Sequence, residues 1–204
     1  MPHADSALIP KTVQTKAEFW QTAYLQLQGL LHGQRNWVSN LSNSASLIFN
    51  ALGDSPLHDP ETTNWVGFYI RSSLFPVPSL SPSTVPTDDV QNHDEMLLLG
   101  PFCGRPACQS INISPGKRRG VCADAFIKKQ SVLVPNVEAY PGHIACDGET
   151  KSEIVVPLML LLDDGQSRVV GVFDLDNTAL SGFDEEDQRG LEMIANLVVN
   201  SSDW

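Results

Sequence analysis

The sequence predicts an α+β domain with a central mixed or antiparallel sheet flanked by helices. Two helical patterns open the chain, runs rich in β-branched and aromatic residues occupy its middle, and an amphipathic helical pattern closes it. That order favours helices packed on a sheet, and the strand content excludes a simple helical bundle. With 204 residues, the chain is most simply one domain that can bury a substantial core.

The N-terminal part is predicted to be a flexible tail followed by two helices. We expect no regular structure in residues 1–15 and place the domain at residues 16–204. Apolar residues recur at helical intervals from Lys16 to His32 and again from about Trp37 to Leu52. A glycine follows each pattern, as is typical of helix C-termini.

The middle of the chain carries two predicted strands that are separated by an insertion. NWVGFYI (64–70) has the composition of a strand, and EMLLLGPF (95–102) is a candidate partner strand. Residues 72–95 contain four prolines and five serines. Because this composition favours neither a sheet ladder nor a helix, we predict a mobile surface insertion.

The C-terminal half is predicted to alternate between helix and strand. We expect a short helix at GVCADAFIKKQ (120–130) and a strand at SVLVPNV (131–137). Two stronger strands, SEIVVPLMLLL (152–162) and SRVVGVFDLDN (167–177), are joined by the turn DDGQ. The last helix runs from about Asp184 to Val199, and its acidic first turn suits the positive end of a helix dipole.

Charge and hydropathy exclude several classes of function. The net charge of −11 argues against nucleic-acid or anionic-membrane binding, because both need basic patches. No apolar run approaches the ~18 residues of a membrane-spanning helix, and the N-terminus lacks the charged and apolar regions of a signal peptide. We therefore expect a cytoplasmic protein with reduced thiols.

The four cysteines, Cys103, Cys108, Cys122 and Cys146, are the first candidates for chemistry. One interpretation is that they are small buried hydrophobic residues. A structural zinc site is disfavoured, because its ligands usually come in pairs two to four residues apart and the spacing here is C-x4-C with gaps of 13 and 23 residues. The third interpretation is thiol redox chemistry, for which we expect no metal and no cofactor.

Local context favours the redox interpretation for three of these cysteines. Cys122 stands at the start of a predicted helix, where the dipole and free N–H groups can lower the pKa of a thiol. Cys146 lies in a Pro-Gly-His-containing loop ahead of a strand, and such a loop can present a thiol to a pocket. Cys108 also lies in or beside a loop.

A group of acidic residues accompanies the thiols. Asp174 and Asp176 are two residues apart in VFDLDN, so they point to the same side of a strand, while Phe173 and Leu175 face the other side. Glu153 opens the neighbouring strand. Such a cluster can bind an ammonium group or share a proton and act as an acid near neutral pH; solvated capping of a sheet edge is the alternative.

Five segments together resemble a known family. NWVGFYI, LLLGPFCGRPACQSI, GVCADA, LVPNVEAYPGHIACDGETKSEIVVPL and GVFDLDN, in that order, are similar to the free methionine-(R)-sulfoxide reductases, GAF-domain enzymes that reduce the free amino acid. The resemblance covers about Lys16 to Val199 and implies a single GAF domain. The chain departs from the family in its Pro/Ser-rich insertion, in extra residues at NISPGKRRG, and in Cys103, where the family more often has Gln.

The resemblance implies a thiol-dependent reaction. A thiolate attacks the sulfoxide sulfur, methionine is released with formation of a cysteine sulfenic acid, and a second thiol converts that acid to a disulfide. By similarity Cys146 is the nucleophile and Cys108 the resolving thiol, with Cys122 as the competing candidate for either role. Thioredoxin is the implied reductant, and because family members are often dimeric, a homodimer is also implied.

The resemblance also implies how the substrate binds. Glu153, Asp174 and Asp176 would hold the ammonium group and supply the proton. The substrate carboxylate would meet backbone N–H groups near Val121 and Cys122 at the helix start.

Three more residues have competing interpretations. Trp65 and Tyr69 alternate on one face of a strand and would contact the methyl group and thioether chain, although core packing is the alternative for both. His143 would bias a thiol toward thiolate or serve as a structural loop residue. A second class of function, a GAF-type sensor of a small molecule or oxidant without turnover, would require neither the three cysteines nor the three carboxylates.

Overall fold

The computed structural model describes residues 9–59, 61–76, 96–114, 120–143 and 147–204. The α-helices of these residues are α1 (Lys16–Leu31), α2 (Trp37–Asp54), α3 (Val121–Lys128) and α4 (Glu185–Asn200). The strands are β1 (Thr63–Arg71), β2 (Met96–Gly104), β3 (Ser110–Asn112), β4 (Val132–Val134), β5 (Ser152–Leu161) and β6 (Ser167–Asn177). Among the described helices, none combines the length and apolar character that a membrane span requires.

The six strands form one sheet in the order β3-β2-β1-β6-β5-β4, with antiparallel neighbours throughout. This arrangement confirms the α+β class and selects the antiparallel alternative. The register places Trp65 of β1 opposite Asp176 of β6, and Asp176 opposite Glu153 of β5. Three predicted site residues therefore lie in one row across the sheet.

Each strand alternates between two apolar layers. In β1, Val66, Phe68 and Ile70 pack against the layer formed by α1, α2 and α4. Trp65 and Tyr69 point to the opposite face, where α3 packs. Because successive side chains of a strand face opposite sides, the same alternation sends Phe173 and Leu175 of β6 to the three-helix side.

The three-helix side also contains a buried carboxylate with a full set of partners. Asp187, in the first turn of α4, accepts hydrogen bonds from Trp20 Nε1 at 3.0 Å and Lys16 Nζ at 2.6 Å. His58 Nε2 lies 2.9 Å from Asp187 Oδ1, the oxygen that also accepts from Trp20. We call these four residues the Asp187 cluster; it ties α1 and the loop after α2 to the start of α4.

Most predicted elements match the structure, with a few differences. The predicted strand at 131–137 is only the three residues of β4, because Pro135 cannot donate to a ladder and the chain turns into a 3-10 helix at Val137–Ala139. Strand β3 was not predicted. Ile9 and Val13, within the predicted flexible tail, pack against the core. Residues 77–95, most of the predicted insertion, lie outside the described residues.

Candidate active site

A cavity of about 280 Å³ lies on the α3 side of the sheet. This volume is near the lower limit of ligand pockets, which typically hold about 300–1,000 Å³. Its walls come from β1, β5 and β6, from the start of α3 and from the loops beside Cys108 and before β5. The lining includes Trp65, Tyr69, Cys108, Gly120, Val121, Cys122, His143, Asp147, Thr150, Glu153, Asp174 and Asp176.

The cavity brings together eight of the nine predicted site residues. The ninth, Cys146, lies outside the described residues, and the described chain resumes at Asp147 in the cavity lining. The shared location of the eight residues was predicted, whereas the role of each residue stays a prediction.

Three carboxyl groups meet at one end of the cavity. Glu153 and Asp174 are buried, and Asp176 is partly exposed. Burial raises the pKa of Glu153 well above its usual range, and the neighbouring Asp174 and Asp176 raise it further. Burial likewise raises the pKa of Asp174, against the opposing effect of a hydrogen bond from Cys122. Both shifts favour the protonated forms of these carboxyls.

The carboxylate cluster has no permanently charged basic side chain beside it in the described lining. The lining residues in the described part of the chain include neither lysine nor arginine. Asp174 Oδ1 is buried and has no hydrogen-bond partner among the described residues. Because an unpaired buried carboxylate oxygen is costly, this oxygen is a candidate acceptor for a donor from outside the described residues.

Cys122 lies in the acidic end of the cavity, in the first turn of α3. Its thiol donates to Asp174 Oδ2 at 3.2 Å and to Glu153 Oε1 at 3.8 Å. Burial, followed by repulsion from Asp174 and Glu153, raises the pKa of this thiol well above its ordinary value. The expectation that the helix start lowers the pKa of Cys122 was therefore wrong, because burial and two neighbouring carboxyls outweigh the dipole.

The aromatic side of the cavity is built on β1. The rings of Trp65 and Tyr69 stack with centroids 5.7 Å apart. The Tyr69 hydroxyl donates to the carbonyl of Cys108 at 2.9 Å, so Tyr69 both lines the cavity and holds the Cys108 segment. Gly67, between them, was missed by sequence reasoning: a Cβ there would lie 2.5 Å from Trp65 Cη2, so only glycine leaves room for this ring.

The chain that follows Cys146 is anchored to the start of β1. Asn64 Nδ2 donates to Asp147 Oδ2 and to Thr150 Oγ1, each at 3.1 Å. Arg105 lies 3.6 Å from the same Asp147 oxygen. Sequence reasoning did not identify Asn64, Thr150 or Asp147, although Asp147 directly follows Cys146.

His143 lies beside the carboxylates, with Nε2 3.6 Å from Glu153 Oε2. Burial lowers its pKa, which favours the neutral imidazole. A neutral ring does not stabilise a thiolate by charge, so the structure favours the alternative that His143 is a structural loop residue.

The remaining thiols differ in state. Cys103 and Cys122 are free, whereas Cys108 is disulfide-bonded. Cys103 packs against the three-helix side, away from the cavity.

Three donor atoms in the cavity lie within 4.8 Å of one another, which is close enough to share a metal ion. They come from Cys122, Glu153 and Asp174.

Comparisons with known proteins identify the family and agree with the fold. The GAF domain family matches residues 64–201. The chain is 39% identical to the free methionine-R-sulfoxide reductase of Saccharomyces cerevisiae, over 98% of this chain and 93% of the relative. It is 31% identical to the enzyme of that name from Escherichia coli, over 89% and 88%.

A solved structure extends the comparison to three dimensions. The free methionine-R-sulfoxide reductase of Neisseria meningitidis, in complex with its substrate, superposes with a TM-score of 0.71 at 31% identity, covering 96% of this chain and 95% of that chain.

Proposed function

The chain belongs to the GAF domain family and, within it, to the free methionine-R-sulfoxide reductases, and from this premise we propose that it reduces free L-methionine (R)-sulfoxide to methionine. The observation that carries the proposal is the cavity itself. It combines a group of carboxyls without a lysine or arginine in the described lining, two aromatic rings and the disulfide-forming Cys108.

The carboxylate end of the cavity suits the ammonium group of a free amino acid. An ammonium offers three donors and no acceptor, and the site offers acceptors from Glu153, Asp174 and Asp176. Asp174 Oδ1, which has no partner among the described residues, would gain one. Burial would strengthen the attraction, because little water competes inside the cavity.

The rest of the substrate would follow from this placement. The carboxylate would meet the start of α3 at Gly120 and Val121, where first-turn N–H groups attract anions. The thioether chain would contact the rings of Trp65 and Tyr69. A peptide-linked methionine sulfoxide has neither charged group, so it would leave the polar groups of the site unpaired.

We assign the nucleophile to Cys146 and the resolving thiol to Cys108. The Cys146 thiolate attacks the sulfoxide sulfur and supplies two electrons; methionine is released, and the oxygen remains on Cys146 as a sulfenic acid. Cys108 then displaces that oxygen as water and forms a disulfide. The disulfide-bonded state of Cys108 supports this step, and a thioredoxin-type dithiol would reduce the bond again.

The environment of Cys122 argues against its acting as the first nucleophile. A thiol must lose its proton to attack, and the two adjacent carboxyls oppose this loss. The raised pKa values of the carboxyls instead suit a proton donor, because protonation of the sulfoxide oxygen makes it a better leaving group. We also propose a cytoplasmic, homodimeric enzyme that acts under oxidative stress.

The test measures NADPH consumption through thioredoxin and its reductase with free methionine-(R)-sulfoxide. Cys146→Ser should abolish even a single turnover, and Cys108→Ser should allow the first turnover but block recycling. Cys103→Ser, a thiol away from the cavity, is the matched control and should behave as wild type. Loss of the single turnover in Cys122→Ser, with Cys146→Ser still active, would contradict the assignment. Binding of the (R) epimer without turnover would favour a sensor.

A further inference from the structure

We infer that Cys122, Glu153 and Asp174 form a binding site for one divalent cation of the zinc class. The site differs from the structural zinc site that the cysteine spacing disfavours, because it uses a single cysteine and two carboxylates from separate elements. The ion would not be a cofactor. It would be a ligand that occupies the acidic end of the cavity.

The distances between the donor atoms match zinc coordination. Zinc binds sulfur at about 2.3 Å and carboxylate oxygen at about 2.0–2.2 Å, so a tetrahedral site places sulfur and oxygen about 3.5 Å apart. Cys122 Sγ lies 3.2 Å from Asp174 Oδ2 and 3.8 Å from Glu153 Oε1. Both sulfur–oxygen distances lie within a few tenths of an ångström of that value, and the three donor atoms all lie within 4.8 Å of one another.

A second observation points to a ligand at the same position. Asp174 is 5% exposed, yet its Oδ1 has no hydrogen-bond partner among the described residues. The described lining contributes no lysine or arginine to balance the carboxylates. A dication would supply both the missing partner and the missing charge.

The donor set selects among cations. Mg²⁺ and Ca²⁺ prefer six or more oxygen ligands, whereas a thiolate favours zinc and similar borderline ions. Cys122 would release its proton to solvent on coordination. Three protein ligands leave a fourth position for water.

If the proposed function holds, the ion competes with the substrate. The ion and the substrate ammonium would use the same carboxylates, so they cannot bind together. Zinc would then inhibit by occupying the ammonium position, while leaving the thiols outside the site unaltered.

Cobalt(II) is the probe, because a cobalt–thiolate bond gives a near-ultraviolet charge-transfer band. CoCl2 is titrated into the full chain without reductant, so that Cys108 stays disulfide-bonded as in the structure. The band should saturate at one ion per chain, be displaced by ZnCl2 and persist in excess MgCl2. Cys122→Ser should remove it, and Cys103→Ser, which changes the other free thiol, should retain it.

Asp174→Asn provides a second variant, and circular dichroism verifies the fold of each. It should weaken cobalt binding at least about tenfold, since even partners of metal ligands change affinity by that much. Absence of the band in wild type, or its survival in Cys122→Ser, would overturn the inference. If Cys122→Ser does not fold, unchanged affinity in Asp174→Asn overturns it.

One further titration distinguishes failure of the metal site from failure of the proposed function. Free methionine-(R)-sulfoxide, added to the cobalt-loaded protein, should reduce the band. A band that forms and ignores the sulfoxide upholds the metal site and counts against the substrate placement.

Discussion

Two buried acidic sites lie on opposite faces of one sheet, and they differ in what surrounds their carboxyl groups. Burial alone would raise the pKa of Asp187, but hydrogen bonds from His58, Lys16 and Trp20 outweigh it and hold that pKa below its usual range. In the cavity, burial and neighbouring carboxyls raise the pKa of Glu153. The comparison teaches that burial does not by itself mark a functional carboxyl. The two acidic sites differ in their hydrogen-bond donors. The fold supplies donors to Asp187, whereas in the cavity a ligand would supply the donor to Asp174.

The largest expected effect tests the cavity side. Asp174→Asn should lower kcat/KM for free methionine-(R)-sulfoxide about 10²–10⁴-fold, the range for loss of an acid–base group. Stability should hold or rise, because a crowded buried carboxyl is replaced by a neutral amide of similar shape. Steady-state kinetics and thermal melting on the same sample measure both. Normal kinetics with a lowered Tm would make Asp174 a structural residue.

Asp187→Asn should have the opposite profile. Removal of one partner from a buried ion pair costs about 3–5 kcal/mol in the free energy of unfolding, because Lys16 is left without its full partner. Urea unfolding measures this loss, and kcat/KM of the folded protein should stay unchanged because the site is on the other face. Asp203→Asn is the control: its pair with Arg35 is exposed and should contribute about 1 kcal/mol or less.

Two glycines, one on each face of the sheet, test the same difference with smaller expected effects. A Cβ at Gly67 would lie 2.5 Å from Trp65 Cη2, and one at Gly190 would lie 2.0 Å from Trp20 Cγ. Each change to alanine should cost about 1–3 kcal/mol of stability through overpacking. Only Gly67→Ala should also raise KM, since it alone displaces a cavity ring. Gly29→Ala, with open space around it, should cost nothing, and an equal KM change in Gly190→Ala would contradict this separation.

The smallest effect is a pH dependence of stability. The pKa of Asp187 is lowered in the folded state, so its contribution is fully present above the unfolded value near 3.8 and is lost as pH falls toward the folded value. One extra proton bound on unfolding gives a slope of at most about 1.4 kcal/mol per pH unit. Urea unfolding should be measured between pH 5 and pH 3, because this range spans the unfolded pKa of about 4 for a free Asp. The free energy of unfolding should fall less steeply with decreasing pH in Asp187→Asn than in wild type. Identical slopes would show that Asp187 does not titrate differently on folding.

Local periodicity predicted much of this molecule. The two-residue period of VFDLDN placed Asp174 and Asp176 on one face and Phe173 on the other, and the structure confirms both sides. The bounds of β6 agree with the prediction because alternation and the flanking turn signals are local. The motifs that resemble the family then indicated which loops meet at the site.

Contacts between distant segments could not be predicted. The pKa of Cys122 is raised by burial and by two carboxyls that lie 31 and 52 residues further along the chain, so its helix position alone predicted the wrong direction. Asp187 was recognised only as part of an acidic first turn, because its partners come from α1 and the loop after α2. The three residues of β3 carry too short a pattern to show alternation.

We propose that the cavity carboxyls bind the ammonium group of a free amino acid. The most direct test compares kcat/KM for free L-methionine (R)-sulfoxide with that for its N-acetyl derivative, which lacks the ammonium charge. Because a site built for a polar group rejects an analogue without it by on the order of 10⁴-fold, the account predicts a preference of that size in wild type and its reduction in Asp174→Asn. Similar kcat/KM values for the two compounds in wild type would contradict it.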